Sequence, residues 1–427
     1  MKTGKDDFSG KLPVLLAMVL AVLAFGLSGC EDQRMQTVRW TEYEPVYMSQ
    51  EEFTASVDME TPRELKEPGK IYFYDGYLFI NERNKGIHVI DNSDPANPSR
   101  VGFINIPANK DIAIRKDVLY ADSHSDLLAF DIEDIQDPRL ISRREDVFKV
   151  TANEAPGIPH SQVDPSKGVV VDWKPVEVEE VCRGDCRGVR PGVDWMAADA
   201  AAGGAPESGV GGSMARFVIS GEYLYAVDHQ NLLTFDISTD EPTESSNKSV
   251  GWAIETIFAY ENNLFIGSES AMYIYDISVP ASPGQVSVYA HMTACDPVVV
   301  EGDLAYVTLR NAERCPRGVN RLEVIDVADR SAPHKIATYP MANPHGLGID
   351  DSTLFVSEGD KGLKIMNAGD PLDIKLLRHI QDIRATDVIP LDGVLMVTGK
   401  DAIRQYDYSD INNIRLLSSI TVTEPEQ

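Results

Sequence analysis

Leu322-Glu323-Val324-Ile325-Asp326 reads as one short β-strand that stops on a carboxylate. The same phrase returns six more times. The copies are Ile87-His88-Val89-Ile90-Asp91, Leu127-Leu128-Ala129-Phe130-Asp131, Leu232-Leu233-Thr234-Phe235-Asp236, Met272-Tyr273-Ile274-Tyr275-Asp276, Leu363-Lys364-Ile365-Met366-Asn367 and Ile403-Arg404-Gln405-Tyr406-Asp407. Successive terminal Asp or Asn residues lie 40, 105, 40, 50, 41 and 40 positions apart. Recurrence at a near-constant step is the mark of a repeat architecture. The two long intervals have visible causes, a loop around Cys315 and an insertion at 150–212.

Working outward from each phrase, a second strand stands about twelve residues upstream of its Asp, as in Leu78-Phe79-Ile80, Leu224-Tyr225-Ala226 and Leu395-Met396-Val397. A third lies earlier still, as in Asp111-Ile112-Ala113-Ile114 and Asp296-Pro297-Val298-Val299. A fourth, more polar strand follows the Asp, often after a Pro such as Pro98, Pro138, Pro283 or Pro333. Four short strands separated by turn residues make one propeller blade. A lone blade cannot bury both of its faces, so the copies must stack in a ring. The fold expected is therefore all-β, a seven-bladed β-propeller with four-stranded blades over residues 69–420, with a tail at 421–427. The last copy can finish its own blade with Ile414 to Ile420, and how the ring closes stays open.

The terminal Asp precedes phrases such as Asn92-Ser93-Asp94-Pro95 and Ile277-Ser278-Val279-Pro280. Short Asx side chains fold back on backbone amides and fix such turns. The segments lack the Asp-x-Asp-x-Asp-Gly order of a calcium loop, so turn formation is the reading preferred.

Gly86-Ile87-His88-Val89-Ile90-Asp91 and Leu322-Glu323-Val324-Ile325-Asp326 carry a resemblance to the LVIVD repeat, which occurs in bacterial surface and exported proteins. It spans roughly residues 69 to 420. The resemblance implies a propeller and says little about activity. Asn367 departs from the pattern, and the insertion puts the strands of blade two in doubt.

The N-terminus predicts export. Lys2, Lys5 and Lys11 surround Asp6 and Asp7, and an apolar run from Leu12 to Leu27 follows, short for a membrane span. It ends in Leu27-Ser28-Gly29-Cys30, which looks like a lipobox: residues 1–29 read as a signal peptide and Cys30 as the lipidated residue. The expected location is the cell envelope, as a membrane-anchored lipoprotein of the outer membrane or cell surface. Residues 30–68 are expected to form a lipidated tether with a short helix near 50–57, capped by Ser49 and Glu52. The chain of 427 residues carries a net charge of −28, and loss of three Lys and two Asp with the signal leaves −29. Such a surface disfavours nucleic acid, which needs clustered Lys and Arg.

Cys182, Cys186, Cys295 and Cys315 are an even number in an exported chain and predict disulfides between near neighbours. Their spacings do not match zinc sites. Within the insertion, Lys167–Trp173 and Pro175–Glu179 suggest a hairpin-like extension of blade two, and Gly188–Gly212 a mobile surface loop. Arg183-Gly184-Asp185 has the composition of a tight turn.

Candidate chemistry sits where each blade's first strand begins, at one mouth of the central channel. Aligning the copies places Lys70, Asp111, Arg216, Thr256, Asp296, Gly346 and Asp387 in one column, and Gly69, Lys110, Ala215, Glu255, Cys295, His345 and Thr386 in the one before. The candidate binding residues are Lys110, Asp111, Arg216, Glu255, Thr256, Asp296, His345 and Asp387. No dinucleotide, phosphate-loop, Ser-hydrolase or zinc-protease signature is present. The expected function is therefore non-catalytic: a binding or scaffold module, engaging a small ligand or an envelope protein through a propeller face and the membrane through its lipid. The alternative is a channel-mouth hydrolase or lyase using the Asp and Glu carboxylates, with a divalent cation as its one candidate cofactor.

Overall fold

In the computed structural model, residues 35–149, 163–183, 210–291, 297–311 and 319–423 are described. Antiparallel sheets of consecutive strands follow one another along the chain. Their first strands are Pro68–Tyr74, Ile112–Arg115, Phe217–Ser220, Ile254–Tyr260, Val298–Glu301, Leu347–Asp350 and Ala385–Leu391, which define blades 1 to 7. Each first strand lies beside that of the next blade, and the first strand of blade 1 lies against the second strand of blade 7. The result is a seven-bladed β-propeller.

Strand alternation explains the ring. Leu78 and Ile80 of blade 1 are buried with Ile389, Met396 and Ile403 of blade 7, whereas Phe79, Ile87 and Val89 join a cluster shared with blades 2 and 3. Further apolar clusters join blades 3 and 4, blades 4 to 6, and blades 6 and 7. Each fully buried Leu, Ile or Phe contributes about 1.5–3 kcal/mol, and a blade gains this on both faces only when both neighbours are present.

The third-to-fourth-strand turn is built the same way in every blade. The side chains of Asp91, Asp131, Asp236, Asp276, Asp326, Asn367 and Asp407 each accept a hydrogen bond from the amide two residues on, at 2.7–3.0 Å. Turn formation is thus the role these residues take. Each fourth strand also carries a register shift opposite the same point of the third. A β-bulge there adds one residue and increases local twist.

Blade 1 closes the circle and carries two extra strands. Val210–Gly211 pairs with Phe73 and Tyr72 on its inner edge, and Asp58–Glu60 pairs with Asn105, Ile104 and Phe103 on its outer edge. Leu65 and Val422 form a parallel bridge, and the Thr423 amide donates to the Leu65 carbonyl at 2.7 Å. Blade 7 completes itself with Arg415–Thr421. Asn92 of blade 1 and Gln405 of blade 7 exchange buried amide hydrogen bonds of 2.9 and 2.6 Å.

Two expectations for the peripheral segments change. Lys167–Trp173 and Pro175–Glu179 do not fold back on each other: Val169–Arg183 is one strand, paired with Met35–Met48 in a two-stranded sheet. Strand Met35–Met48 also occupies ground read as tether. The portion made of residues 35–42 and 175–183 belongs to a compact unit of its own, in which Arg39 bonds Glu179 and Thr41 bonds Glu177. Within the propeller unit, helix α1 (Gln50–Ala55) starts at Ser49 with a complete capping box to Glu52, and its Phe53 is buried with Ala108 and Val171. Second, Val210–Gly212, read as the end of a surface loop, lies at the centre of the ring. Cys30, Cys186, Cys295, Cys315, Asp296, the Asp185 turn and the side chain of Cys182 fall outside the described residues.

Candidate binding face of the propeller

In each blade the start of the first strand, the end of the second and the start of the third share one face, because successive strands run antiparallel. The other face carries the first-to-second-strand turns, and each holds an acid: Asp75, Asp117, Glu222, Glu261, Asp303, Asp351 and Asp392. The described candidate residues lie on the first face, the cations Lys110 and Arg216 among them.

At its hub the chain covers its own channel. Gly212 donates to the Ile71 carbonyl of blade 1 at 3.4 Å. Ser213 donates to the Asp387 carboxylate of blade 7 through both its amide and its hydroxyl, each at 3.2 Å, and its hydroxyl accepts from the Leu347 amide of blade 6 at 2.5 Å. The Ala215 carbonyl accepts from Ile257 of blade 4 at 2.8 Å, and the Arg216 amide donates to Asp111 of blade 2. A stretch this short can bond to blades 1, 2, 4, 6 and 7 only at their common centre. Ser213, Met214 and Ala215 are buried. Gly212 and Gly346 flank the Asp387 carboxylate so closely that a Cβ on either would collide with it.

The carboxylates of the column therefore face the protein itself. Asp111, 2% exposed, accepts from Lys70 Nζ at 2.9 Å, from the Phe217 amide at 3.0 Å, from its neighbour Ile112 at 2.8 Å and from Arg216. One side chain so ties blades 1, 2 and 3. Asp111 and Asp387 serve separate sectors of the hub rather than converging on one reacting atom. Among the described residues no group of three or more His, Cys, Asp or Glu is placed to hold a metal ion.

Asp122, at the end of blade 2's second strand, was not in the column read from sequence. Its Oδ1 accepts from the amides of Lys110 and Asp111, both at 2.8 Å, and from Asn109 Nδ2 at 2.9 Å. Burial pushes its carboxyl above the ordinary range, against the opposing pull of Lys110, these hydrogen bonds and Arg216. The signal that could have found it is the polar ending of the second strand, which recurs as Asn81-Glu82, Asp122-Ser123, Asp228, Ser268 and Ser357-Glu358. Several hold the following turn, as Asp228 does with the amides of Gln230 and Asn231 at 2.8 and 2.7 Å.

Lys110, Asp111 and Arg216 come together. With Asp122, His124, Phe148 and Lys149 they line a narrow cleft between blades 2 and 3. Phe148 and Phe217 form one wall, their ring centroids 5.5 Å apart. Glu255 and Thr256 stand apart in blade 4, where Thr256 is buried and pairs with Gly267. His345, in blade 6, has its carbonyl bonded by Thr308 Oγ1 and its amide bonded to Ser357, both at 2.7 Å. Burial, then Arg310 and Lys400, push its imidazole down to about 3, so it is neutral at physiological pH.

Residues 69–105, 211–249 and 254–291 match the LVIVD repeat. These segments are blades 1, 3 and 4. The chain is a seven-bladed β-propeller in which three blades match this repeat. Its other four blades have the same bulge and the same Asx turn. No curated protein matches the chain. Among solved structures, a protein from Lactobacillus plantarum is 13% identical with a TM-score of 0.52, over 84% of this chain and 97% of that one. A computationally designed protein, Ika8, is 9% identical with a TM-score of 0.50, over 86% and 92%. BamB from Moraxella catarrhalis is 8% identical with a TM-score of 0.49, over 86% and 97%. At such identities the likeness is one of fold alone.

Proposed function

We propose that this LVIVD-repeat propeller is a non-catalytic binding or scaffold module of the bacterial cell envelope, engaging a ligand or partner at the rim of the face that carries Lys110 and Arg216. The observation that carries this reading is the hub. Asp111 and Asp387, which a channel-mouth hydrolase would use as acid and base, are bonded to Lys70, Ser213 and backbone amides beneath Gly211–Ala215. Lys110, Arg216 and Lys149 line a cleft with an aromatic wall, a composition suited to docking.

The reading includes anchorage through a lipid on Cys30, for which Leu27-Ser28-Gly29-Cys30 and the charged, then apolar, segment before it speak. Metabolic labelling with radioactive palmitate should mark the wild type and spare Cys30→Ala. For the face, photo-crosslinkers placed beside Lys110 and Arg216 in intact envelopes should capture one partner. That adduct should vanish in Lys110→Glu/Arg216→Glu and persist in Asp75→Lys/Asp392→Lys, which alters the opposite face. Equal capture by both variants would overturn the assignment of the face. Hydrolytic or lyase turnover by the purified chain would overturn the non-catalytic reading.

A further inference from the structure

Six positions after the second-strand residue that pairs with the terminal Asp or Asn, the strand registers align Arg83, His124, His229, Glu269, Arg310, Gly359 and Lys400 of blades 1 to 7. Blades 5, 7 and 1 each supply a long cation there. Blade 6, seated between 5 and 7, supplies a glycine. Gly359 has a φ of +55°, and a Cβ on it would stand 2.6 Å from Asn343 Nδ2 and 2.8 Å from His345 Nε2. Its lack of a side chain lets the chain pass close against the His345 ring.

Arg310 lies against the same ring. It is only 6% exposed, and its one side-chain hydrogen bond within the described residues is to His345 Nε2, at 3.4 Å. Because a guanidinium only donates, Nε2 accepts, and the neutral imidazole orients the fork without neutralising it. Among the described residues, the nearby acids Glu358 and Asp360 have other partners. Glu358 pairs with Lys364 at 3.0 Å and accepts from the Ala342 amide at 2.7 Å; Asp360 pairs with Arg384 at 3.5 Å. Lys400 is held below its usual range by burial and by the charges of Arg83, Arg384 and Arg310, against the pull of Asp360. A buried guanidinium without a carboxylate is costly, and an oxyanion from outside would relieve that cost with charge-assisted, bidentate bonds.

We propose that Arg310 and Lys400, with Arg83 at the rim and His345 as the positioning residue, form a pocket for a small oxyanion, a carboxylate or phosphate group. This deepens the binding reading by naming a ligand chemistry, and it rests on that reading.

The test uses the full mature chain at low ionic strength. Inorganic phosphate, acetate and phosphatidylglycerol vesicles are titrated separately, with calorimetry and the ¹⁵N shift of the His345 ring as readouts. One of them should bind saturably and move the His345 resonance. Response to phosphate or acetate identifies a soluble ligand of that type; response to vesicles alone identifies a lipid headgroup. Arg310→Gln should weaken binding at least about tenfold, the loss of a charged hydrogen-bond pair. Arg310→Lys should fall between, since it keeps the charge and loses the fork. Gly359→Asn, which tolerates the left-handed backbone, should abolish binding by forcing a side chain against the His345 ring, and Lys116→Gln, in a turn of the opposite face, should leave it unchanged. Absence of saturable binding by all three probes, or indifference to both Arg310→Gln and Gly359→Asn, overturns the pocket. If the probes bind but the Lys110 and Arg216 crosslink is absent, the rim assignment fails and the pocket stands; the reverse result removes only the pocket.

Discussion

Asn92→Ala should open the propeller at its seam. The Asn92 side chain donates to Gln405 Oε1 at 2.9 Å and accepts from Gln405 Nε2 at 2.6 Å, and both residues are buried between the first and last blades. Truncation removes two amide hydrogen bonds, each worth about 0.5–1.5 kcal/mol net, and leaves Gln405 Oε1 without that donor, a further cost of about 1–3 kcal/mol. Gln405 Nε2 keeps the Pro95 carbonyl at 3.3 Å and Ser418 Oγ at 3.2 Å, so its loss is partial. The total expected is about 2–5 kcal/mol. The double variant Asn92→Ala/Gln405→Ala should cost less than the two singles combined, by at least about 1 kcal/mol, because it leaves no orphaned amide. Native-state hydrogen exchange is the suitable assay, since a ring of this size need not unfold in one step. Faster exchange should appear first in the strands of blades 1 and 7. Additive single variants, or accelerated exchange beginning in blade 4, would refute the reasoning.

Three further outcomes follow from the same geometry. Gly86→Ala should lower the urea midpoint by more than about 2 kcal/mol in free energy, because at φ +136° its Cβ meets the Ile104 carbonyl; Gly221→Ala, at φ +58° with nothing within 4 Å, should cost only about 1 kcal/mol. Asp111→Ala should cost about 3–5 kcal/mol in urea unfolding, since it strands buried Lys70 and unpairs the hub amides, whereas Lys70→Met should cost clearly less. His345, with its folded value near 3, disfavours its charged form, so its contribution is complete above the unfolded value of about 6.5 and declines as pH falls from there towards 3. That decline amounts to about 2 kcal/mol by pH 5; His345→Asn should flatten this part of the stability profile, and an NMR titration showing protonation of the His345 ring near 6 would contradict the burial argument.

The repeat was legible because its causes are local. Two-residue alternation, a turn-forming Asp and a near-constant step specify a four-stranded blade, and the greasy sides of strands such as Leu78-Phe79-Ile80 require neighbours on both flanks. Ser49 and Glu52 cap their helix through contacts only three residues apart. The column of polar residues at the first strands was also readable, as was the grouping of Lys110, Asp111 and Arg216 on one face.

What those residues contact was not readable. Asp111 and Asp387 gave the same sequence signal as open site carboxylates, yet each bonds the hub segment that returns from the insertion. Nothing in Gly211-Gly212-Ser213-Met214-Ala215 announces that it crosses the centre of a ring, because, the Ser213 hydroxyl aside, it bonds there through its backbone amides and carbonyls, groups that nearly every residue carries alike. The same holds for the Leu65–Val422 bridge and for the pairing of Met35–Met48 with Val169–Arg183. Side-chain pattern along this chain therefore determined the blade and how often it repeats. Which distant segments fill the hub and seal the seam, and which cations remain facing solvent, only the closed ring decided, since those contacts exist only once the ends of the chain have met.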